Sequence, residues 1–215
     1  MPGQWPTRAL AVAALALGAL AALGPTGRAD SWDDSTEDPW NHCAECHGLD
    51  GAGNHIKFPR LAGQRPDYII RQLYDFRDGR RANDGGQMHK TATEVAAVDY
   101  PRVADWFARQ TPPWPKPTIE GELDLVRARK LANDGDGQFD GCLNCHSTVG
   151  LYADKPELTP RIAGQRDWYL AKEMLDYRDG RRGSANDTMV KIAKRLSDGD
   201  IHSLALFLSQ NPNLD

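Results

Sequence analysis

Two short stretches carry the residues best suited to chemistry: Cys43-Ala-Glu-Cys46-His47 and Cys142-Leu-Asn-Cys145-His146. Both read C-x-x-C-H, and together they use all four cysteines of the 215-residue chain. Two residues between the thiols place both on one short helical turn, where they can add to the two vinyl groups of a porphyrin; the adjoining imidazole then lies under the iron. The pattern predicts covalent haem c twice over, with Cys43, Cys46, Cys142 and Cys145 as attachment points and His47 and His146 as proximal axial ligands. Three other chemistries compete. Paired zinc knuckles usually stand about 15–20 residues apart, whereas these motifs begin 99 residues apart. A thioredoxin-like dithiol needs a βαβ pattern, and none surrounds either motif. Two structural disulfides would suit an exported chain but leave the repeated histidine unexplained.

A haem iron has a second axial position, and the chain has four methionines. Met1 lies in the leader, and Met174 falls on the apolar face of a helix, where it reads as packing. Met88 and Met189 correspond to one another, stand in polar stretches read as loops, and follow their histidines by 41 and 43 residues. The expected axial pairs are therefore His47/Met88 and His146/Met189, and thioether ligation favours ferrous iron and a raised potential. His42, His55, His89 and His202 have no counterparts in the other half and read as surface residues. Pro59 and Pro160 follow the proximal histidines closely enough for their carbonyls to take the Nδ1 proton and fix the ring. Arg60 and Arg161, or the repeated Arg80-Arg81 and Arg181-Arg182, could neutralise haem propionates or remain solvated. Asp134-Gly-Asp136-Gly-Gln-Phe-Asp140 has the flavour of a calcium loop, but Phe139 stands where glycine is required and Cys145 where glutamate is, so that reading fails.

The elements that position these groups are written twice. Residues 59–81 read PRLAGQRPDYIIRQLYDFRDGRR and residues 160–182 read PRIAGQRDWYLAKEMLDYRDGRR, identical at 13 of 23 positions at an offset of 101. In the same register Met88 falls on Met189, Ala92 on Ala193 and Trp106 on Phe207. A period near 100 residues is a duplicated domain, too long for a solenoid repeat. Thr111-Pro-Pro-Trp-Pro-Lys-Pro-Thr118 holds four prolines in eight residues and reads as a semi-rigid polyproline spacer. The expected organisation is a domain over 30–111, a linker over 112–118 and a second domain over 119–215. Each copy patterns as helix. Pro66 opens one helix carrying Tyr68, Ile69, Leu73 and Phe76 and ending at Asp78-Gly79, and Asp99 caps another carrying Val103, Trp106 and Phe107. In the second copy Asp167 is the expected cap of the first of these helices and Asp179-Gly180 its stop; Ser197 opens the last helix, and a further helix is expected over 119–131. No alternating strand pair is visible, so the predicted class is all-α: two small helical domains whose thin cores leave room for a large apolar cofactor.

Composition agrees. With 40% hydrophobic and 26% charged residues the chain is neither disordered throughout, collagen-like nor polytopic in a membrane. Its net charge of -4 gives no electrostatic reason for nucleic-acid binding. Arg8, the fifteen-residue apolar run Ala9–Leu23 and the small-residue site Gly27-Arg28-Ala29 read as a secretory signal over 1–29, cleaved near Ala29. The run is short for a permanent anchor, which needs roughly 20 residues. Removing Arg8 and Arg28 with the leader takes the net charge from -4 to -6.

These motifs, taken together, resemble the dihaem cytochrome c4 family. Two C-x-x-C-H sites, P-R-[LI]-A-G-Q before a tyrosine-bearing helix, D-[FY]-R-D-G-R-R and then a methionine occur in that order twice, across residues 35–210. The first copy departs after Met88, where TATEVAAVDYP replaces the AKRLSD that follows in the second. The resemblance implies two class I cytochrome c domains packed about a pseudo-twofold axis with propionates near the interface. It also implies two covalent haem c groups with the ligands given above, and a periplasmic, non-enzymatic carrier of electrons. Its expected partners are redox proteins: a quinol-oxidising complex, a terminal oxidase or a dehydrogenase. An acidic surface suits a basic or membrane-associated partner, leaving peripheral membrane association open. Two alternatives remain: the haem subunit of a sulfide- or thiosulfate-oxidising complex, and a dihaem peroxidase, which needs an iron whose distal side can open.

Overall fold

The computed structural model describes residues 3, 38–53, 55, 57–147, 154–155, 157–183 and 187–214. The chain partitions into Met1–Thr36 and the compact unit Glu37–Asp215, which holds every described helix. The expected signal sequence and its cleavage near Ala29 lie outside the described residues.

Among the described residues the regular structure is helical, without strands. In chain order the α-helices are α1 (Asn41–His47), α2 (Pro66–Arg77), α3 (Gln87–Glu94), α4 (Tyr100–Ala108), α5 (Leu125–Asp134), α6 (Cys142–His146), α7 (Asp167–Arg178), α8 (Thr188–Ala193) and α9 (Asp198–Gln210), with a 3-10 turn at Ala97–Asp99. The duplication is visible in their order: α1 to α4 recur as α6 to α9. Each copy has its own core. In the first, Ile69, Leu73 and Phe76 of α2 project at helical spacing onto Val103, Ala104 and Phe107 of α4. In the second, Leu170 and Ala171 of α7 pack with Leu204, Phe207 and Leu208 of α9 and with Ala128 and Leu131 of α5.

Local signals act as expected at several helix ends. Pro66 occupies the first turn of α2, where its missing N–H is no loss. Ser197 opens α9 with a full capping box, its hydroxyl accepting from Asp200 N while the Asp200 carboxylate accepts from Ser197 N. Other expectations are corrected. Asp99 stands at the N-cap of α4 without capping it, because its carboxylate pairs with Arg102 at 2.9 Å. Asp167 is the first residue of α7, and its carboxylate accepts from Ile119 N at 2.6 Å and Thr118 Oγ1 at 2.9 Å. That grip ties 118–119 down outside any helix, and the helix expected over 119–131 starts only at Leu125, where Asp124 caps it by accepting from Arg127 N.

The proline-rich stretch is also more than a spacer. Arg60 donates to Pro113 O at 2.9 Å and Pro112 O at 3.0 Å, and its guanidinium lies 4.4 Å from the Trp114 ring centroid. Trp114 in turn packs so closely on Gly164 that a Cβ there would meet the indole at 2.5 Å. The stretch is pinned at both ends.

Candidate haem sites

Both C-x-x-C-H motifs are wound into short helices, α1 and α6, whose last residues are His47 and His146. The two imidazoles are buried, 5% and 9% exposed. His47 Nδ1 lies 3.0 Å from Pro59 O and His146 Nδ1 lies 2.9 Å from Pro160 O. With Nδ1–H donating to the carbonyl, Nε2 keeps its lone pair, the tautomer a metal needs. Burial pushes both imidazole pKa values down, against the opposing pull of the proline carbonyl, so each ring is held neutral.

The loop after α1 explains how a carbonyl twelve residues away reaches the ring. Gly48 ends α1 at φ 78, and Gly53 N returns to His47 O at 2.7 Å. Gly51 O then accepts from Leu61 N at 2.9 Å and Ala62 N at 3.1 Å, laying the 59–62 segment beside the loop. A Cβ at Gly51 would lie 2.8 Å from the Phe107 ring, so only glycine allows this approach. Further along, Gly63 N donates to Phe107 O at 3.1 Å and its counterpart Gly164 N to Leu208 O at 3.0 Å. The repeated glycine thus ties the proline segment to the last helix in both copies.

No disulfide joins any of the four cysteines. Burial, helped by the neighbouring Cys46, raises Cys43 to about 12. Burial likewise dominates at Cys142, raised to about 11. These sulfurs face apolar surroundings.

One cavity of about 750 Å³ is lined by all four cysteines, both histidines, Met88 and Met189. Its walls include Ile69, Leu73 and Phe76 of α2 and Leu170, Met174 and Tyr177 of α7. Every sequence-predicted site residue therefore reaches the same continuous space. Apolar walls, neutral imidazoles and paired thiols fit a large, flat, apolar macrocycle with a metal at its centre.

The methionines are placed differently from the loops expected for them. Met88 is the second residue of α3 and Met189 the second residue of α8, and both are half-buried. Asp84, two residues before the N-cap Gly86 of the first of these helices, accepts from Met88 N, and the buried Tyr100 hydroxyl donates to Ala92 O at 2.6 Å, tying α3 to α4. Met174 packs against the second core, as its helical position implied. His42, His55 and His89 are exposed; His202 is half-buried in α9 instead, since neighbouring residues of that helix are core. Asp136 belongs to a local turn, accepting from Gln138 N at 2.8 Å and pairing with Arg195, also at 2.8 Å. Among the described residues no cluster of His, Cys, Asp or Glu could hold a metal ion.

Sequence reasoning missed a seam between the copies. Gln64 Oε1 accepts from Arg161 N at 2.8 Å and its Nε2 donates to Arg161 O at 3.0 Å. Gln165 grips Arg60 in the same way, at 2.8 Å to both N and O. Arg65 donates to Ser147 O, next to His146, and Arg166 to Ala52 O, close after His47, at 2.8 and 3.1 Å. Each copy thus holds the backbone that orients the other copy's histidine. The available signal was the identical A-G-Q-R in both copies, polar residues with no local task. The doubled arginines divide: Arg80 and Arg181 are exposed and pair with Asp75 and Asp176, while Arg81 and Arg182 are buried at the seam.

Two helical modules made from one repeat, each offering Cys-x-x-Cys-His to a shared apolar cavity, define a c-type cytochrome with two covalent haem c groups. The cytochrome c family model matches residues 40–107. The chain is 32% identical over 197 residues to cytochrome c4 of Pseudomonas aeruginosa, covering 88% of this chain and 94% of that one. It is 32% identical over 212 residues to the thiosulfate dehydrogenase electron acceptor of Thiomonas intermedia, covering 95% and 91%. The solved cytochrome c4 of Acidithiobacillus ferrooxidans superposes with a TM-score of 0.65 at 28% identity, over 79% of this chain and 98% of that one. The chain belongs to the cytochrome c4 family and is an electron-transfer protein.

Proposed function

We propose that the chain is a periplasmic dihaem carrier that passes electrons between separate redox proteins and performs no other chemistry. Its two domains run over 30–111 and 119–215, joined by 112–118 after a signal sequence cleaved near Ala29. Cys43 and Cys46 hold one haem and Cys142 and Cys145 the other; His47/Met88 and His146/Met189 are the axial pairs. When bound, haem c supplies a one-electron ferric/ferrous couple, which thioether ligation biases toward the ferrous form.

The observation that supports this reading most is the single cavity reached by both sets of cysteine, histidine and methionine side chains. The chain's residues supply rigidity around it. Pro59 and Pro160 carbonyls fix the imidazoles, and the glutamine seam keeps the two sites at a constant separation, so little has to reorganise when charge moves. Among the described residues no helix is long and apolar enough to cross a membrane.

A second reading is favoured by similarity to a thiosulfate dehydrogenase electron acceptor over 95% of this chain: the partner that reduces this protein is a sulfur-oxidising dehydrogenase, and the chain is its dedicated acceptor. Stopped-flow reduction of the purified ferric protein, by membranes with quinol and separately by a thiosulfate dehydrogenase, distinguishes the two. Fast reduction by membranes alone supports the respiratory carrier, and fast reduction by the dehydrogenase alone replaces it with the acceptor. Rapid cyanide binding to one ferric iron in the unmodified protein would overturn both in favour of a peroxidase.

A further inference from the structure

Between the two sites, four side chains close a ring. Arg81 Nη1 donates to Gln72 Oε1 at 2.6 Å and its Nη2 pairs with Glu173 Oε1 at 3.0 Å. Arg182 Nη1 donates to Glu173 Oε2 at 2.6 Å and its Nη2 to Gln72 Oε1 at 3.1 Å. Outside the ring the tyrosines cross over: Tyr169 Oη accepts from Arg81 and Tyr68 Oη from Arg182, both at 2.9 Å. The repeat offset of 101 maps Tyr68 on Tyr169, Gln72 on Glu173 and Arg81 on Arg182. The ring is symmetric at every member but one, where the first copy supplies a neutral amide and the second a carboxylate.

Two features give that difference consequences. Arg81, Arg182 and Glu173 are each 8% exposed at the side chain, so water screens their fields weakly. A guanidinium does not give up its proton in a protein, so two arginines and one carboxylate leave the ring with a net charge of +1. All four ring members line the shared cavity. Glu173 also projects from the stretch of α7 whose Leu170, Met174 and Tyr177 line that cavity, so its charge belongs to the second copy's wall. The carboxylate also pairs with Lys172 at 3.1 Å and accepts from Asn83 Nδ2 of the first copy at 2.9 Å, and the second copy's share of the wall carries Asp140, Glu157 and Arg161 besides.

We propose that Glu173, standing where the first copy has a glutamine, sets the two haem sites apart electrostatically by lowering the reduction potential of the second site more than that of the first. The inference rests on haem being bound in both copies. A carboxylate stabilises ferric iron over ferrous, and a lone carboxylate in an otherwise symmetric ring acts unequally on the two. Glu173 works through charge and through the two arginines it positions, and touches no reacting atom.

The test uses the full holoprotein and three variants: Glu173→Gln, Gln72→Glu and the double exchange carrying both. Both midpoint potentials are read by spectroelectrochemical titration, with each haem assigned to its copy by NMR, and thermal unfolding is recorded alongside. Glu173→Gln raises both potentials and the second site more. At fixed ambient potential the ferrous-to-ferric ratio there rises about threefold to tenfold, tenfold being about 59 mV for one electron. Gln72→Glu lowers the first site most. The double exchange keeps the ring's composition and net charge, so its unfolding temperature stays near that of the unmodified protein, yet the second potential rises and the first falls. Two haems by mass with both potentials unmoved in the double exchange would overturn this proposal alone and leave the ring a structural clamp. A mass with fewer than two haems in the unmodified protein would overturn the dihaem site assignment as well.

Discussion

Replacing Gln165 by alanine cuts the copies apart at one point of the seam and reads its strength directly. The amide makes two hydrogen bonds to Arg60 backbone, both 2.8 Å. Arg60 is 4% exposed, so water cannot replace the lost partners without the seam opening. A buried polar group left unpaired costs about 1–3 kcal/mol; two such groups give about 2–6 kcal/mol, and partial opening of the seam lowers this to about 2–4 kcal/mol. For a chain of this size each kcal/mol is worth about 2–4 °C, so thermal unfolding of the holoprotein should shift down by about 4–16 °C. The matching variant Gln64→Ala exposes the backbone of Arg161, which is only half-buried, and should cost less. The change also crosses domains. Arg60 follows Pro59, whose carbonyl orients His47, so a substitution in the second copy should perturb the visible spectrum of the first site more than that of its own. A loss below about 0.5 kcal/mol, well under one unpaired group, or a Gln64→Ala loss exceeding that of Gln165→Ala, would refute the reasoning.

Met189→Ala should lower the potential of one haem and open its iron to cyanide within the mixing time, while Met174→Ala, which removes only packing, costs up to about 2 kcal/mol and leaves ligand binding unchanged; an unaltered spectrum in the Met189 variant removes that methionine from the iron. Burial pushes the Glu173 carboxyl up, but Arg182, Arg81 and Lys172 outweigh it and hold the group at about 2 against its ordinary 4.5. A depressed carboxylate stabilises the fold above its unfolded pKa and loses that effect as pH falls through the folded one, so stability should drop by roughly 3 kcal/mol between pH 4.5 and 2, seen as a falling unfolding temperature that Glu173→Gln flattens. Trp114→Ala should strip the stacking partner from Arg60, lowering stability by about 1 kcal/mol and making the 112–118 segment susceptible to limited proteolysis, whereas unchanged resistance would mean the other linker contacts suffice.

Much of the chemistry was legible in short-range patterns. The C-x-x-C-H spacing puts two thiols and an imidazole on one helical turn whatever the rest of the chain does, and a 101-residue offset with Met88 over Met189 pairs the copies without any coordinates. Pro66 and Ser197 marked helix starts because their effects are confined to one turn. Where a side chain's partner lies far along the chain, the reading failed. Asp167 looked like a cap but spends its carboxylate on residues 118 and 119, and α5 starts only at Leu125. The prolines read as a semi-rigid spacer, but its tie to Arg60, and through Trp114 to Gly164, left no mark in the sequence.

Residue identity along the chain was enough to specify the cofactor chemistry, the doubling and the helical class, because covalent attachment and helix initiation depend on neighbours a few positions away. It could not tell Arg80 from Arg81, or assign the second A-G-Q-R to the backbone of the first copy. Those outcomes depend on which polar groups lose water when two folded copies meet, and burial of that kind comes into existence only with the packed arrangement: Arg80 stays in solvent beside Asp75, while Arg81, one residue on, is sealed against Glu173 from the other copy.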